Sequence, residues 1–357
     1  IMHRRDFLAS SVALAVSSVL ARHADAAASN PEVARARALY DAIFEEMLTV
    51  TPQSATTLGL DTGSRAALRS RLNDRTPDQR MGPLGPVARA WPQLQAIDAT
   101  QLAGRDRSDF DTVAWLASIS REIAAQPVGT VDGYTYPVPY VVSQLTGAYQ
   151  STPDFLATKH PLESSADAEA FLARLEAFAR ALNYDTARMR DDLRRGIVPP
   201  DFVVDKTLVQ LKLLRAQPGA QSVMTRALVQ RTAAKGIAGD WGGRAARLVD
   251  GPLAKALDAQ IAAATEQRAR ATHDAGIRGR PGGELYYQLC LRYQTSTRLT
   301  PDEAHELGLA QVAEITAEAD TLLKAQGHGE GKVGARLSAL TKDPRWLYPN
   351  TGAGRAE

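Results

Sequence analysis

The chain has 357 residues, 44% of them hydrophobic, with 42 Lys and Arg against 40 Asp and Glu. That balance, without a basic run or aromatic–basic interleaving, gives no support to a nucleic-acid partner. A single cysteine, Cys290, excludes an intrachain disulfide and a thiolate-built zinc knuckle, and 6% aromatic content beside abundant alanine favours helices over a β-sandwich.

The first segment reads as an address rather than as fold. Arg4-Arg5-Asp6-Phe7-Leu8 has the R-R-x-F-L spacing, and Ala24-Asp25-Ala26 offers an A-x-A cleavage site. The stretch between them is too short and too rich in Ser and Ala for a permanent span. It resembles a twin-arginine export signal, with residues Arg4, Arg5, Phe7 and Leu8 as its determinants and Ala24 and Ala26 at the cut. An ordinary secretory signal or an anchor is the alternative reading. Both take the protein out of the cytoplasm, to the periplasm or beyond. The expected division is a signal over 1–26 and a helical domain over 27–357, with no integral membrane span once the signal is removed.

Helix signals follow in sequence. Asn30 before Pro31 is a cap followed by a first-position proline, and Leu39, Tyr40, Ile43, Phe44, Met47 and Leu48 recur at helical spacing. Thr51-Pro52 starts a second, short helix that Gly59 can close. Residues 61–107, rich in Pro, Gly and Arg, predict short helices and loops. A longer helix follows, with Phe110, Val113, Ala117 and Ser120 on one face, flanked by Leu116 and Ile123. The stretch "PVGTVDGYTYPVPYVVSQLTGAYQ" predicts an ordered Pro/Gly/Tyr-rich loop leading into a short helix.

Ser164 and Asp167 make a box-like helix start, and Phe171, Leu175, Phe178 and Leu182 follow at steps of four, three and four. "NYDTARMRDDLRRG" predicts a further helix ended by Gly196. "IVPPDFVVDKTLVQLKLLRAQ" begins β-tolerant and turns helical. Residues 220–275 predict two or three helices interrupted at Gly251-Pro252. Cys290 lies in the apolar run "LYYQLCLRY" and reads as a small buried hydrophobe. The acidic pairs Glu45-Glu46 and Asp191-Asp192 read as solvated faces.

Thr300-Pro301-Asp302-Glu303 is a strong helix start with a capping box. The helix should run to Gln326 before Gly327, burying Ala304, Gly308, Val312, Ile315, Ala319, Leu322 and Leu323. It holds His305-Glu306, the first letters of the zinc-helix motif H-E-x-x-H. A zinc helix needs histidines at i and i+4 so that both rings share a face, but position 309 is leucine. The pair therefore reads as structural, with Asp302 placed to accept a bond from the His305 ring. No G-x-S-x-G elbow, P-loop or dinucleotide fingerprint is present, so no reaction centre is visible from the residues themselves.

Several blocks together resemble the bacterial domain of unknown function 885 family. They are "TPQSATTLGL", "DRSDFDTVAWL", "ADAEAFLARLEAFARALNYDTARMRDDLRRGIVPP" and, most specific, "PGGELYYQLCLRYQTSTRLTPDEAHELGLAQVAEI". The resemblance implies an all-α, irregular helical array with little or no strand, similar to zinc metallopeptidases. It also implies an H-E-x-x-P-G-H zinc motif beyond the region corresponding to 282–316, which this sequence does not contain. Zinc and a peptide substrate are thus expected of a full-length member, while no metal ligand or catalytic residue is carried onto this chain. Tyr286, Tyr287 and His305 become candidates for lining a cleft. The leading expectation is the N-terminal part of an exported peptidase-like hydrolase, inactive alone. The alternative is a non-catalytic helical binding or scaffold protein of the cell envelope.

Overall fold

A computed structural model describes residues 30–131 and 136–356. The export determinants Arg4, Arg5, Phe7 and Leu8 and the cleavage residues Ala24 and Ala26 lie outside them. The described residues are predominantly helical, with one hairpin of two-residue strands pairing Thr130–Val131 (β1) against Pro137–Val138 (β2). None of their helices is long and apolar enough to cross a membrane. They divide into two compact units, one through Ser296 and one from Thr297 onward.

In the first unit, α1 (Pro31–Val50) begins as its sequence dictates. The Asn30 side chain accepts the Glu32 amide at 2.9 Å, and Pro31 fills a position where no amide is needed. A short α2 (Pro52–Thr57) ends at Gly59, whose φ of +70° suits glycine. Thr51 does not cap it; its hydroxyl donates back to Met47 O at 2.6 Å. The Pro/Gly-rich stretch forms 3₁₀ turns and the short helices α3 (Leu84–Arg89) and α4 (Trp91–Gln95). These lead to α5 (Gly104–Ala124), and α1, α3, α4 and α5 enclose one core around Ile43, Val87, Leu94, Phe110 and Ala117.

The Tyr-rich loop carries the hairpin and ends in α6 (Ala148–Asp154), continued by a π turn over Phe155–Lys159. Buried Asp185 fixes the loop, accepting the Ala148 amide at 2.8 Å and Arg75 Nε at 2.6 Å. The principal core surrounds α7 (Ser165–Arg194), which buries Phe171, Leu175, Phe178, Leu182 and Met189. Two helices were expected here. The structure has one of 30 residues, because Asp185, Thr186 and Met189 continue the buried face past Leu182. Gly196, at φ +77°, follows its end.

Helices α8 (Asp201–Arg215), α9 (Val223–Ala234), α10 (Trp241–Leu248) and α11 (Ala254–Arg268) complete this layer. Ala256, Ala263 and Ala264 let α11 lie close along α7, where Gln267 donates to Met189 O at 3.1 Å. The expected interruption at Gly251-Pro252 is absent. A π turn over Val249–Leu253 absorbs the proline and joins α10 to α11. Helix α12 (Gly283–Thr295) closes a third core, packing Tyr286 and Leu289 with Ile119, Ile123, Val128 and Val131.

The second unit comprises α13 (Pro301–Ala325) and α14 (Val333–Leu340). The capping box forms in full: Thr300 Oγ1 accepts the Glu303 amide at 3.2 Å, and Glu303 accepts the Thr300 amide at 2.8 Å. Gly327 follows the helix end at φ +83°. Most of the expected buried stripe is not buried. Of α13 only Leu323 is buried, while Val312, Ile315 and Leu322 stand exposed. Periodicity identified the apolar face correctly, but within the second unit it is buried only at Leu323.

Candidate functional site

The densest set of buried ionisable groups is assembled around the start of α7. Ser164 caps that helix by accepting the Asp167 amide at 3.2 Å. Asp167 does not return the bond to Ser164's own amide. Its Oδ2 accepts Glu163 N at 3.0 Å and Ser164 Oγ at 2.9 Å, which leaves Oδ1 for Arg69 Nη1 at 2.8 Å. Arg69 also binds Asp61, which is 2% exposed and accepts a second bond from Thr56 Oγ1 at 2.7 Å. Burial works against both carboxylates' charge. The Glu163 amide, Arg69 and Ser164 outweigh it at Asp167, and Arg69 and Thr56 outweigh it at Asp61, so both titrate below the ordinary range.

Arg174 lies at the centre and is fully buried. It occupies the apolar face of α7, three residues after Phe171 and four before Phe178. Its guanidinium donates to Arg71 O (2.8 Å), His160 Nδ1 (2.7 Å), Thr56 Oγ1 (2.6 Å) and Leu68 O (3.2 Å), and lies 4.9 Å from the Phe155 ring centre. Because arginine can only donate, His160 Nδ1 must accept. The imidazole proton therefore sits on Nε2, which donates to Asp167 O at 2.8 Å. Burial, joined by Arg174 and Arg231, pulls the His160 pKa down to about 4, so the ring is neutral at pH 7.

This arrangement has the polarity of a reaction centre but not its openness. Both His160 nitrogens are engaged, and the Thr56 hydroxyl accepts from Arg174 while donating to Asp61. Neither group is left to take a proton from a substrate. What it does is join α2, the 3₁₀ turn over Gly63–Ser70, the loop before α7 and α7 itself. Arg231 adds α9 by donating to His160 O at 2.7 Å. One signal in the sequence pointed here: a charged residue, Arg174, in register with Phe171 and Phe178. His160 gave none.

The three cleft candidates are placed differently. Tyr286 is 2% exposed and packs its ring against Gly129, where an added Cβ would lie 2.4 Å from it. Tyr287, one residue on and about 100° around α12, is 50% exposed. His305 is exposed on α13 in the second unit, and its ring makes no hydrogen bond to Asp302. Only the two tyrosines share a helix, and they face opposite environments. Cys290 is half-buried in the core beside Tyr286, and burial pushes its thiol up to about 11, in keeping with a packing role. Of the acidic pairs, Glu45 and Glu46 are exposed as expected, and Asp191 is half-buried. Asp192 instead is 4% exposed, held by Arg188 at 2.8 Å, and burial raises its pKa.

A zinc ion does not fit the described residues. No three His, Cys, Asp or Glu side chains among them converge as a metal would require, and Leu309 stands one turn beyond His305.

A family model described as "Bacterial protein of unknown function (DUF885)" matches residues 52–357. No curated protein matches the chain. Among solved structures it is similar to one described as "the putative lipoprotein from Colwellia psychrerythraea", at 21% identity with a TM-score of 0.78. The match covers 89% of this chain and 56% of that one, so the chain spans little more than half that protein's length. At this identity the likeness establishes a shared fold.

Proposed function

The chain belongs to the bacterial DUF885 family, and from that premise we propose that it is a helical scaffold portion of an exported, peptidase-like hydrolase. The observation that carries this reading is the pair of matches: the family model over residues 52–357, and a fold likeness spanning 56% of a longer chain. Export is supported by the R-R-x-F-L pattern at Arg4–Leu8 and by a structural neighbour described as a lipoprotein. The hydrolase reading rests on the resemblance of the blocks around 282–316 to helical zinc metallopeptidases. Within it the chain contributes packing and shape, and its described residues contribute no zinc ligand set. Tyr287 on α12 and His305 on α13 are separate candidates for contact with a peptide, each exposed. Tyr286, behind Tyr287, sets how α12 is rotated.

The test compares two purified proteins, this chain and the full-length Colwellia psychrerythraea lipoprotein, each measured for zinc content and for cleavage of a mixed peptide library. The longer protein is expected to hold zinc and cleave peptides until a chelator is added, and this chain to do neither. A longer protein without zinc or cleavage would end the hydrolase reading.

A second reading, a non-catalytic binding module of the envelope, is favoured by the bare apolar face of α13. It predicts that neither protein cleaves peptides.

A further inference from the structure

Residues 158–163 form a strap between the π turn that continues α6 and the N-cap of α7. Thr158, Lys159 and Glu163 are exposed along it, while His160 and Leu162, at 0% and 1% exposure, pin it to the core. The His160 ring meets Phe171 edge-on, with 5.3 Å between ring centres. Its amide donates to Phe155 O at 3.0 Å and its carbonyl accepts from Arg231 at 2.7 Å. The ring adds two bonds, Nε2 to Asp167 O at 2.8 Å and Arg174 Nη1 to Nδ1 at 2.7 Å.

The bond from Arg174 exists in one protonation state only. Arginine offers donors and no acceptor, so a proton on Nδ1 would set N–H against N–H and place a second cation beside a buried first. The surrounding charges do not compensate. From α7, Asp167 gives the ring only its backbone carbonyl, because its carboxylate is taken by Glu163 N, Ser164 Oγ and Arg69. Behind it Asp61 is held by Thr56 and Arg69, and from α9 comes another cation, Arg231. At the surface Glu163 pairs with Lys235, Asp154 accepts from Thr158, and Lys159 is exposed. The remaining bonds decide which side yields. Arg174, in the middle of a 30-residue helix, keeps Arg71 O, Thr56 Oγ1 and Leu68 O as acceptors. The imidazolium keeps only Asp167 O and adjoins exposed Lys159.

We propose that residues 158–163 are an acid-released strap: proton uptake at His160 turns its ring out to water, lifts the strap from α7 and uncovers Arg174 while the rest of the first unit stays folded. The device lies within the first unit and stands independently of the hydrolase reading. Among the described residues His160 is the only buried histidine, which makes the strap the one place where an imidazole gains its proton by opening.

The experiment is hydrogen exchange of the purified chain at about pH 6.5 and about pH 4.5, read by mass spectrometry and corrected for intrinsic rates. Peptides covering the strap are compared with peptides from α11, with and without dilute urea. Asp61 and Asp167 keep their charge across this window, since both titrate below the ordinary carboxylate range. An exposed imidazole takes up its proton there, whereas His160 in the fold, at about 4, mostly does not. Exchange of the strap is therefore expected to quicken roughly thirtyfold on acidification. Dilute urea should leave that exchange unchanged, because little surface is exposed, while α11, which opens only with the whole unit, should quicken. His160→Gln keeps an acceptor towards Arg174 and a donor towards Asp167 O but takes no proton, so it should abolish the acid effect; His273→Gln, at an exposed histidine, should retain it. A strap indifferent to pH, or one whose exchange follows α11 in urea, would overturn the proposal. So would an acid effect that survives His160→Gln or disappears in His273→Gln. The wild-type comparison decides whether the strap opens separately even where a variant fails to fold.

Discussion

Replacing Arg174 with methionine tests whether the buried network around α7 holds the first unit together. Methionine keeps the apolar length that packs near Phe155 and removes every donor. Three of the four acceptors, His160 Nδ1, Thr56 Oγ1 and Leu68 O, sit in fully buried bonds. Each buried group left unpaired costs about 1–3 kcal/mol. Removing the guanidinium also removes the cost of burying a cation, several kcal/mol that offset part of the loss. The net expectation is a destabilisation of about 3 kcal/mol, a fall in Tm of roughly 6–10 °C for a unit of this size. Arg174→Lys should fall between, because an ammonium offers three donors without the planar fork. Urea unfolding followed by tryptophan fluorescence in a Trp346→Phe background reports the first unit alone, through Trp91, Trp115 and Trp241. Arg180→Met, removing a 63%-exposed cation 3.7 Å from Glu176, serves as control and should cost under about 0.5 kcal/mol. If Arg174→Met costs no more than that control, the network is not what joins these segments.

Further outcomes follow from the same geometry. An unfolded imidazole titrates near 6.5 and His160 at about 4 in the fold, so between these values the unfolded chain binds the additional proton. Its contribution is complete above about pH 6.5 and is lost as pH falls towards 4, roughly 3 kcal/mol across the window. His160→Gln should flatten urea stability measured from pH 7 to 4.5, and an unchanged slope would assign the dependence elsewhere. Gly129→Ala sets a Cβ 2.4 Å from the Tyr286 ring on backbone at φ +92°, and thermal melting should show a loss of at least about 3 kcal/mol. Much of that loss should vanish in a Tyr286→Ala background; strict additivity of the two changes would contradict the contact. Thr300→Ala should cost the second unit about 1 kcal/mol and speed amide exchange over the first turn of α13. Unchanged exchange would mean that the capping box does not hold that turn.

What the sequence disclosed was mostly local. Asn30, Thr300 and Glu303 form the caps their spacing implied, because capping needs only neighbours two or three residues away. Phe171, Leu175, Phe178 and Leu182 are fully buried, as their period required. Readings failed where the backbone or burial departed from the simplest local expectation, and where distant partners decided. Pro252 looked like a break, but a π turn accommodates it within a continuous helix. Asp192 looked solvated until Arg188 and the end of α7 enclosed it. The Arg174 network is built from residues more than a hundred positions apart, Thr56 and Leu68 among them, and no local pattern announces such a meeting. The stripe on α13 shows the limit most plainly: a period of 3.5 says which face is apolar, not what covers it.

The central claim, that this chain is scaffold rather than reaction centre, is tested most directly by activity. The purified chain, given excess zinc and a mixed peptide library read by mass spectrometry, is expected to release no fragments above a buffer control. Cleavage that requires this chain and is abolished by a chelator would contradict it.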